Sequence, residues 1–262
     1  MTRQPALFVS HGSPMMALEP SPARDFLAGL GTTLVRPEAI VVVSAHYDAP
    51  RVTITSGATP PTIHDFGGFP DALYQMRYPA PGHPALASRI ANLLKQSGIP
   101  AVLDPSRGFD HGAWVPLTLI YPNADIPVIQ VSIDSNKSPE WHRGLGTALA
   151  PLRDENVLII GSGSMTHDLG SFFKLRPSID TVAPDWVMAF ADWVDDRLQA
   201  GDGDAVLNAV DRAPFGRRNH PTMDHILPLY VALGAGSTPF HARALHRSTT
   251  YGILAMDVYA FD

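Results

Sequence analysis

Two segments, AIVVVSA at Ala39–Ala45 and NVLIIGSG at 156–163, constrain the fold most, because each is apolar over most of its length without alternation. A strand with one wet face alternates apolar and polar residues. An unbroken β-branched run fits a strand covered on both faces, as in a mostly parallel sheet. Further short apolar runs lie at Ala6–Ser10, Val52–Thr55, Ile99–Leu103, Pro127–Ile133 and Val157–Gly161. Helical patterns separate them. Pro84–Ser97 puts Leu86, Ile90, Leu93 and Leu94 on one side and meets Gly98 as a stop signal. Trp141–Arg153 and Asp185–Gln199 read the same way. Thr222–Leu233 offers Thr222 as an N-cap and carries Pro228 inside, which predicts a kink. Phe240–Arg247 and Thr250–Tyr259 predict a terminal strand pair. Strand–helix alternation makes this an α/β chain, a central mostly parallel sheet flanked by helices. The 25 prolines and 21 glycines are dispersed, so one domain spanning 1–262 is expected rather than two joined by a linker. Gly57–Gly82 and Lys174–Pro184 are predicted to be long loops, and loops of that length usually serve a site.

Composition narrows the function classes. The net charge of −6 argues against a nucleic-acid partner, which selects a basic face. The absence of cysteine removes disulfides, thiolate zinc sites, iron–sulfur clusters and cysteine nucleophiles together, so any metal must be held by nitrogen and oxygen. No stretch approaches the roughly 18 apolar residues of a membrane span, and no membrane partner is expected. The run ALFVS is too short for the core of an export signal, so the expected location is cytoplasmic. A homo-oligomer is left open.

Eleven histidines are the main functional clue. His11 follows ALFVS, His46 follows AIVVVSA, and His167 follows NVLIIGSGSMT. Ligands of open α/β sheets bind beyond the carboxyl ends of the strands, so these imidazoles are expected to converge at one sheet edge. His225, in NHPTMDHILPLY, and His111, in the glycine-flanked GFDHGAW, are further candidates. His64, in the glycine-rich TIHDFGGFP, is expected on a lid-like loop. With Ser13, it is an expected substrate contact. His83, His142, His241 and His246 read as ordinary, with His142 on a polar helix start; His220 stays open. Asp110 is placed to orient His111 as a base. Asp65, Asp168 and Asp224, each beside a histidine, are either partners that fix imidazole tautomers or plain loop residues. Trp114, Phe66 and Phe69 could line a flat aromatic pocket or belong to the core. A serine hydrolase is disfavoured because GSGSM lacks the last glycine of G-x-S-x-G. A phosphate loop is disfavoured because GSGSMTHDLG lacks the Walker ending.

The segments PALFVSHGSPM, RPEAIVVVSAHYDAP, PPTIHDFGGFPDALYQMRYPAPG, RGFDHGAWVPLTLIYPNADIPVIQVSID, GSGSMTHDLG and PTMDHILPLYVALGA run over nearly the whole chain. In that order they resemble the DODA-type extradiol aromatic ring-opening dioxygenases, the class III or LigB-like group. The resemblance implies that His11 and His46 are metal ligands and that His225 occupies the third ligand position. It implies that His167 is a catalytic base or a further metal ligand, and that His111 is an active-site histidine near substrate or dioxygen. LigB-type enzymes carry glutamate as third ligand, so His225 is a departure that suits zinc as well as ferrous iron. Fe(II) is expected for turnover, with Zn(II) plausible in the isolated protein, and the partners are a small aromatic diol and O2. The implied reaction opens a catechol such as L-DOPA to a muconic semialdehyde-type product. A zinc-dependent hydrolase and a non-catalytic metal-binding protein on the same fold are the alternatives.

Overall fold

The computed structural model describes residues 3–262. Among them, eight strands build one sheet: β1 (Ala6–Ser10), β2 (Ala39–Asp48), β3 (Val52–Thr55), β4 (Ala101–Asp104), β5 (Val128–Ile133), β6 (Val157–Gly163), β7 (Ala242–His246) and β10 (Val258–Phe261). A separate two-stranded pair is formed by β8 (Thr249–Thr250) and β9 (Leu254–Ala255). The main sheet has the order β4-β3-β5-β2-β6-β1-β10-β7. Its centre is parallel, β5 with β2, β2 with β6 and β6 with β1. β3 runs antiparallel to β5, and β10 antiparallel to both β1 and β7.

Two-sided burial explains the unbroken apolar runs. Val41, Val43, Phe8 and Ile159 point into one core, Ile40, Val42, Leu7 and Ile160 into the other. Each fully buried aliphatic side chain of this kind contributes about 1.5–3 kcal/mol. The first core is covered by α3 (Pro84–Gln96), α5 (Pro139–Leu149), α7 (Asp185–Gln199) and α11 (Leu227–Ala235). The second is covered by α1 (Pro22–Thr33) and α4 (His111–Ile120). Short helices complete the chain: α2 (Asp71–Gln75), α6 (Leu169–Leu175), α8 (Gly203–Leu207), α9 (Ala209–Arg212) and α10 (Gly216–Asn219). No helix among the described residues is long and apolar enough to cross a membrane.

Several expectations are corrected. The C-terminal helix starts at Leu227, not Thr222, and Pro228 falls in its first turn, where the missing N–H would have no partner anyway; no kink results. Thr222 instead lies near the Asp224 carboxylate and helps to hold its pKa low. The pattern over Trp141–Arg153 breaks into α5 and a 3-10 segment (Ala150–Glu155) that carries Pro151 at its start. The terminal pair is β7 with β10, and the intervening β8 and β9 pair only with each other. Gly57–Gly82 holds α2 and is pinned by a Thr62–Phe109 bridge. α1 and α4 were not foreseen. α4 buries nine of its ten residues and contains Pro116, so it offers no one-sided stripe to read.

Candidate metal centre and active site

β1, β6 and β2 lie side by side and parallel, so their carboxyl ends meet at one edge. His11 leaves β1 there, and its backbone N–H donates to the Gly163 carbonyl at the end of β6 (2.9 Å). His46 does not follow its strand, as the sequence suggested, but lies inside β2. Pairing with β5 steps from Ser44, opposite Ser132, to Asp48, opposite Ile133, so the segment between bulges and turns the His46 ring toward its neighbours. His225 sits in the turn before α11, and its carbonyl accepts the N–H of Ser164 (2.8 Å). A Cβ on Gly163 would stand 2.2 Å from that carbonyl oxygen, so only glycine lets the His225 turn approach β6 this closely. His111 is the first residue of α4, not a loop residue.

These four imidazoles meet. His46 Nε2 lies 3.0 Å from His11 Nε2 and 3.2 Å from His225 Nε2. The His111 ring centroid is 3.9 Å from that of His46 and 5.5 Å from that of His11. The partners on the far nitrogens fix which lone pairs face inward. Ser162 donates its hydroxyl to the Gly112 carbonyl, so it accepts the Nδ1–H of His11 (3.0 Å). Asp224 accepts from His225 Nδ1. Asp65 accepts from both His111 Nδ1 (3.0 Å) and His111 N (2.9 Å), with its carboxylate 3.6 Å from His46 Nδ1. The Nε2 atoms of His11 and His225 therefore present bare lone pairs to His46. As the Nε2–H tautomer His46 donates to one of them; a cation among the three nitrogens would take all three lone pairs. Two nitrogens each about 2.1 Å from one ion stand about 3.0 Å apart at a right angle and about 3.4 Å apart at the tetrahedral angle. The 3.0 and 3.2 Å separations fit that range.

Electrostatics agree. Burial, then its imidazole neighbours, holds His11 well below the ordinary histidine value, and burial with His111 and His225 brings His46 down to about 2. Both imidazoles are neutral at pH 7. Burial alone would raise Asp65, but hydrogen bonds from His111 outweigh it and leave the carboxyl at about 2. Burial likewise opposes the hydrogen bond from His225, which holds Asp224 well below the carboxylate range. Both partners are anions at neutral pH. Asp110, expected to orient His111, touches other groups. It is buried, accepts from Ser44 (2.7 Å), Gln130 (2.8 Å) and Arg107 (3.3 Å), and so ties the start of α4 to β2 and β5. Asp168 also contacts no imidazole; it caps α6 through Ser171.

His167 stacks on His225 with centroids 3.4 Å apart and planes 12° apart. Burial, then His225, lowers it to about 3, so it too is neutral at pH 7. Its ring makes no hydrogen bond among the described residues and lines a cavity of about 490 Å³ beside the imidazole cluster. His46, His111, Asp65, Ser13, Phe66 and Phe69 also line it. His64 does not. Its Nε2–H donates to the Met76 carbonyl (3.1 Å) and its ring packs on Phe66, Tyr74 and Trp114, so the expected lid contact is a tethered one. Trp114 is core, with its Nε1–H on the Ile63 carbonyl. His142 is wholly buried, donating to the Ser138 carbonyl, where the sequence suggested a polar surface. His220 is buried with Nε2–H on the Met165 carbonyl. A wider depression of about 620 Å³ lies at the opposite edge of the sheet, beside Ala39 and Val157, and its Arg36 and Arg89 are already paired with Asp125 and Glu155.

Sequence reasoning missed Ser162 as the partner of His11, and it left Asp65 and Asp224 undecided. An apolar run ending in Gly-Ser-Gly was the available signal for a small hydroxyl at the end of β6, but nothing in spacing pairs it with a histidine 151 positions away.

A family model described as the catalytic LigB subunit of aromatic ring-opening dioxygenase matches residues 5–259. The 4,5-DOPA dioxygenase extradiol of Beta vulgaris is 45% identical over 258 residues, covering 97% of this chain and 95% of its own length. The protein of the same name from Escherichia coli K12 is 45% identical over 238 residues, covering 89% and 86%. The crystal structure of an uncharacterized Escherichia coli K12 protein superposes with a TM-score of 0.79 at 36% identity, over 98% of this chain and 99% of that one.

Proposed function

We propose, for a chain that belongs to the LigB family of aromatic ring-opening dioxygenases, that it opens the ring of a catechol with O2 in the extradiol manner. One catechol and one O2 give one muconic semialdehyde-type product that keeps both oxygen atoms, so no further reductant is consumed. The observation that carries this reading is that His46 Nε2 lies 3.0 Å from His11 Nε2 and 3.2 Å from His225 Nε2, with the lone pairs of the latter two fixed by Ser162 and Asp224, beside an open cavity.

His11, His46 and His225 would hold the metal, and His167 lies against His225 as a base or a further ligand. Ferrous iron supplies the electron exchange with dioxygen that zinc lacks, and Fe(II) is therefore the metal for turnover. The remaining steps belong to the chain. Phe66 and Phe69 form an apolar wall for the ring, and Ser13 lies in the same lining. His167 faces the cavity with an unoccupied lone pair and takes the proton of a catechol hydroxyl. Burial disfavours the imidazolium so formed, and the ring returns that proton as the catechol opens. His111, locked by the two hydrogen bonds it donates to Asp65, presents its Nε2 at the same wall and orients the oxygen-bearing edge of the ring. Holding ring, metal and dioxygen together in a half-enclosed pocket converts a termolecular encounter into a local one.

The test is anaerobic loading with Fe(II), then addition of L-DOPA or another catechol with O2, following oxygen uptake and the yellow product. The expected result is one O2 consumed per ring. His11→Ala and His46→Ala lose the metal; His111→Ala keeps it and loses rate. Oxygen-independent hydrolysis of esters by the Zn(II) form, with no oxygen uptake on any catechol, would refute the reading.

A further inference from the structure

Of the three candidate ligands, His46 lies in a strand bulge, and its backbone needs support from outside the sheet. Pairing of β2 with β6 ends at Ser44, opposite Ser162, and pairing with β5 resumes only at Asp48. A bulged residue falls out of the ladder, and its N–H and C=O then need other partners. Ser44 and Arg107 supply them. The Ser44 hydroxyl accepts the His46 N–H (3.2 Å), and Arg107 Nη2 donates to the His46 carbonyl (3.2 Å). Both then meet the buried Asp110 carboxylate. Ser44 donates to Oδ1 (2.7 Å), and Arg107 Nη2 also donates to Oδ2 (3.3 Å). The Arg107 guanidinium lies over the ring of Tyr47, the next residue along (4.3 Å). Gln130 fixes the carboxylate in turn, donating to Oδ2 (2.8 Å) and accepting the Asp110 N–H (3.1 Å). The same turn reaches the other imidazoles. Asp110 is the N-cap of α4 and His111 its first residue. The Gly112 carbonyl accepts the Ser162 hydroxyl that holds His11 Nδ1. A Cβ on Gly112 would stand 2.3 Å from Ser44 Oγ and 3.1 Å from His46 Cδ2, so glycine is what lets this turn close on β2.

We propose that Asp110 is a positioning residue for the metal centre: through Ser44 and Arg107 it clamps the His46 backbone at both its N–H and its C=O, and so fixes the His46 ring in register with His11 and His111. The inference rests on the reading of the imidazole cluster as a metal centre and adds what sets the ligand spacing. A carboxylate suits the task because it only accepts, and three donors from three parts of the chain converge on it: Ser44 of β2, Arg107 ahead of α4 and Gln130 of β5. Asparagine in the same place would turn an NH2 toward one set of these donors.

The experiment loads the full chain with Co(II), whose visible absorption reports ligand geometry without turnover. Affinity is read by competition against a chromophoric chelator, and folding by urea melts of the metal-free protein. Asp110→Asn is expected to weaken Co(II) binding about tenfold and to change the visible spectrum, the lower end of what groups that orient ligands control. Arg107→Gln tests the same clamp from its partly exposed arm, where folding is less at stake, with an expected loss of about three- to tenfold. Arg107→Lys keeps donors for both oxygens and is expected to bind about threefold more tightly than Arg107→Gln. Leu198→Ala, deep in the first core, destabilises through a cavity and is expected to keep the parental spectrum and an affinity within about twofold. Where Asp110→Asn does not fold, the Arg107 pair decides. Parental affinity and spectrum in the folded clamp variants overturn the proposal and leave the metal centre standing. An equal loss in Leu198→Ala overturns it too, because general destabilisation would then release the ion. A parent that binds no Co(II) refutes the metal-centre reading, and the proposal falls with it.

Discussion

Asp224→Asn is the most revealing single perturbation of the candidate metal centre. The Asp224 carboxylate accepts the Nδ1–H of His225, and that bond is why Nε2 of His225 carries the inward lone pair. The carboxyl is an anion at neutral pH, because the histidine's hydrogen bond outweighs the burial that would raise it. Asparagine keeps the size and one acceptor oxygen but removes the charge. A hydrogen bond to a charged group contributes about 1.5–3 kcal/mol and a neutral one about 0.5–1.5 kcal/mol, so the loss is roughly 1–1.5 kcal/mol. At about 1.4 kcal/mol per factor of ten, metal affinity falls about 5- to 12-fold, at the lower end of what partners of ligating histidines usually control. The assay is competition for Fe(II) or Zn(II) against a chromophoric chelator. Asp168→Asn serves as control, because Asp168 caps α6 and touches no imidazole. Affinity unchanged within twofold in Asp224→Asn, or an equal loss in Asp168→Asn, would refute the reasoning.

Three further outcomes follow from the same geometry. His167→Gln is expected to keep the metal and lower kcat by about 10²–10⁴, read by metal analysis beside oxygen uptake; loss of the metal instead would make His167 a ligand. Gly163→Ala puts a Cβ 2.2 Å from the His225 carbonyl, so metal affinity should drop with the fold retained by circular dichroism, and unchanged affinity would count against the close approach. Burial lowers His220 from 6.5 to about 4. Between those values the unfolded chain binds a proton that the folded chain does not, so the contribution is present above pH 6.5 and is lost as pH falls toward 4. At pH 5 it amounts to about 2 kcal/mol relative to pH 7. Urea melts of His220→Gln should show a pH 7-to-5 loss smaller than that of the parent by about this amount, and identical losses would contradict the assignment.

The parts that sequence made legible are those that depend on short-range pattern. Ile40 to Val43 alternate between the two cores, and because both sides are dry the alternation vanishes into one apolar run, which is the mark of a central parallel strand. Strand direction then puts His11 and His46 at one edge, so the imidazole cluster could be anticipated from position along the chain. What could not be read depends on contacts between distant segments. The choice between Asp65 and Asp110 as the partner of His111 is decided by the path of the segment from Pro60 to Phe69, not by adjacency, and adjacency pointed to the wrong carboxylate. α4 was invisible because a helix buried all round has no polar face. The start of α11 was misplaced because Pro228 inside a helical pattern and Pro228 in a first turn look alike in one dimension. His64 sits in a glycine-rich segment that reads as mobile, yet its ring is tied to Met76.

The central claim is that the imidazoles of His11, His46 and His225 share one divalent cation. Its most direct measurement is an anomalous difference map, at the iron absorption edge, of crystals soaked anaerobically in Fe(II). The account predicts one strong peak about 2.1 Å from each of the three Nε2 atoms, open toward the cavity wall of Phe66 and Phe69. A peak held by other residues, or none in a fully soaked crystal whose three imidazoles are ordered, would contradict it.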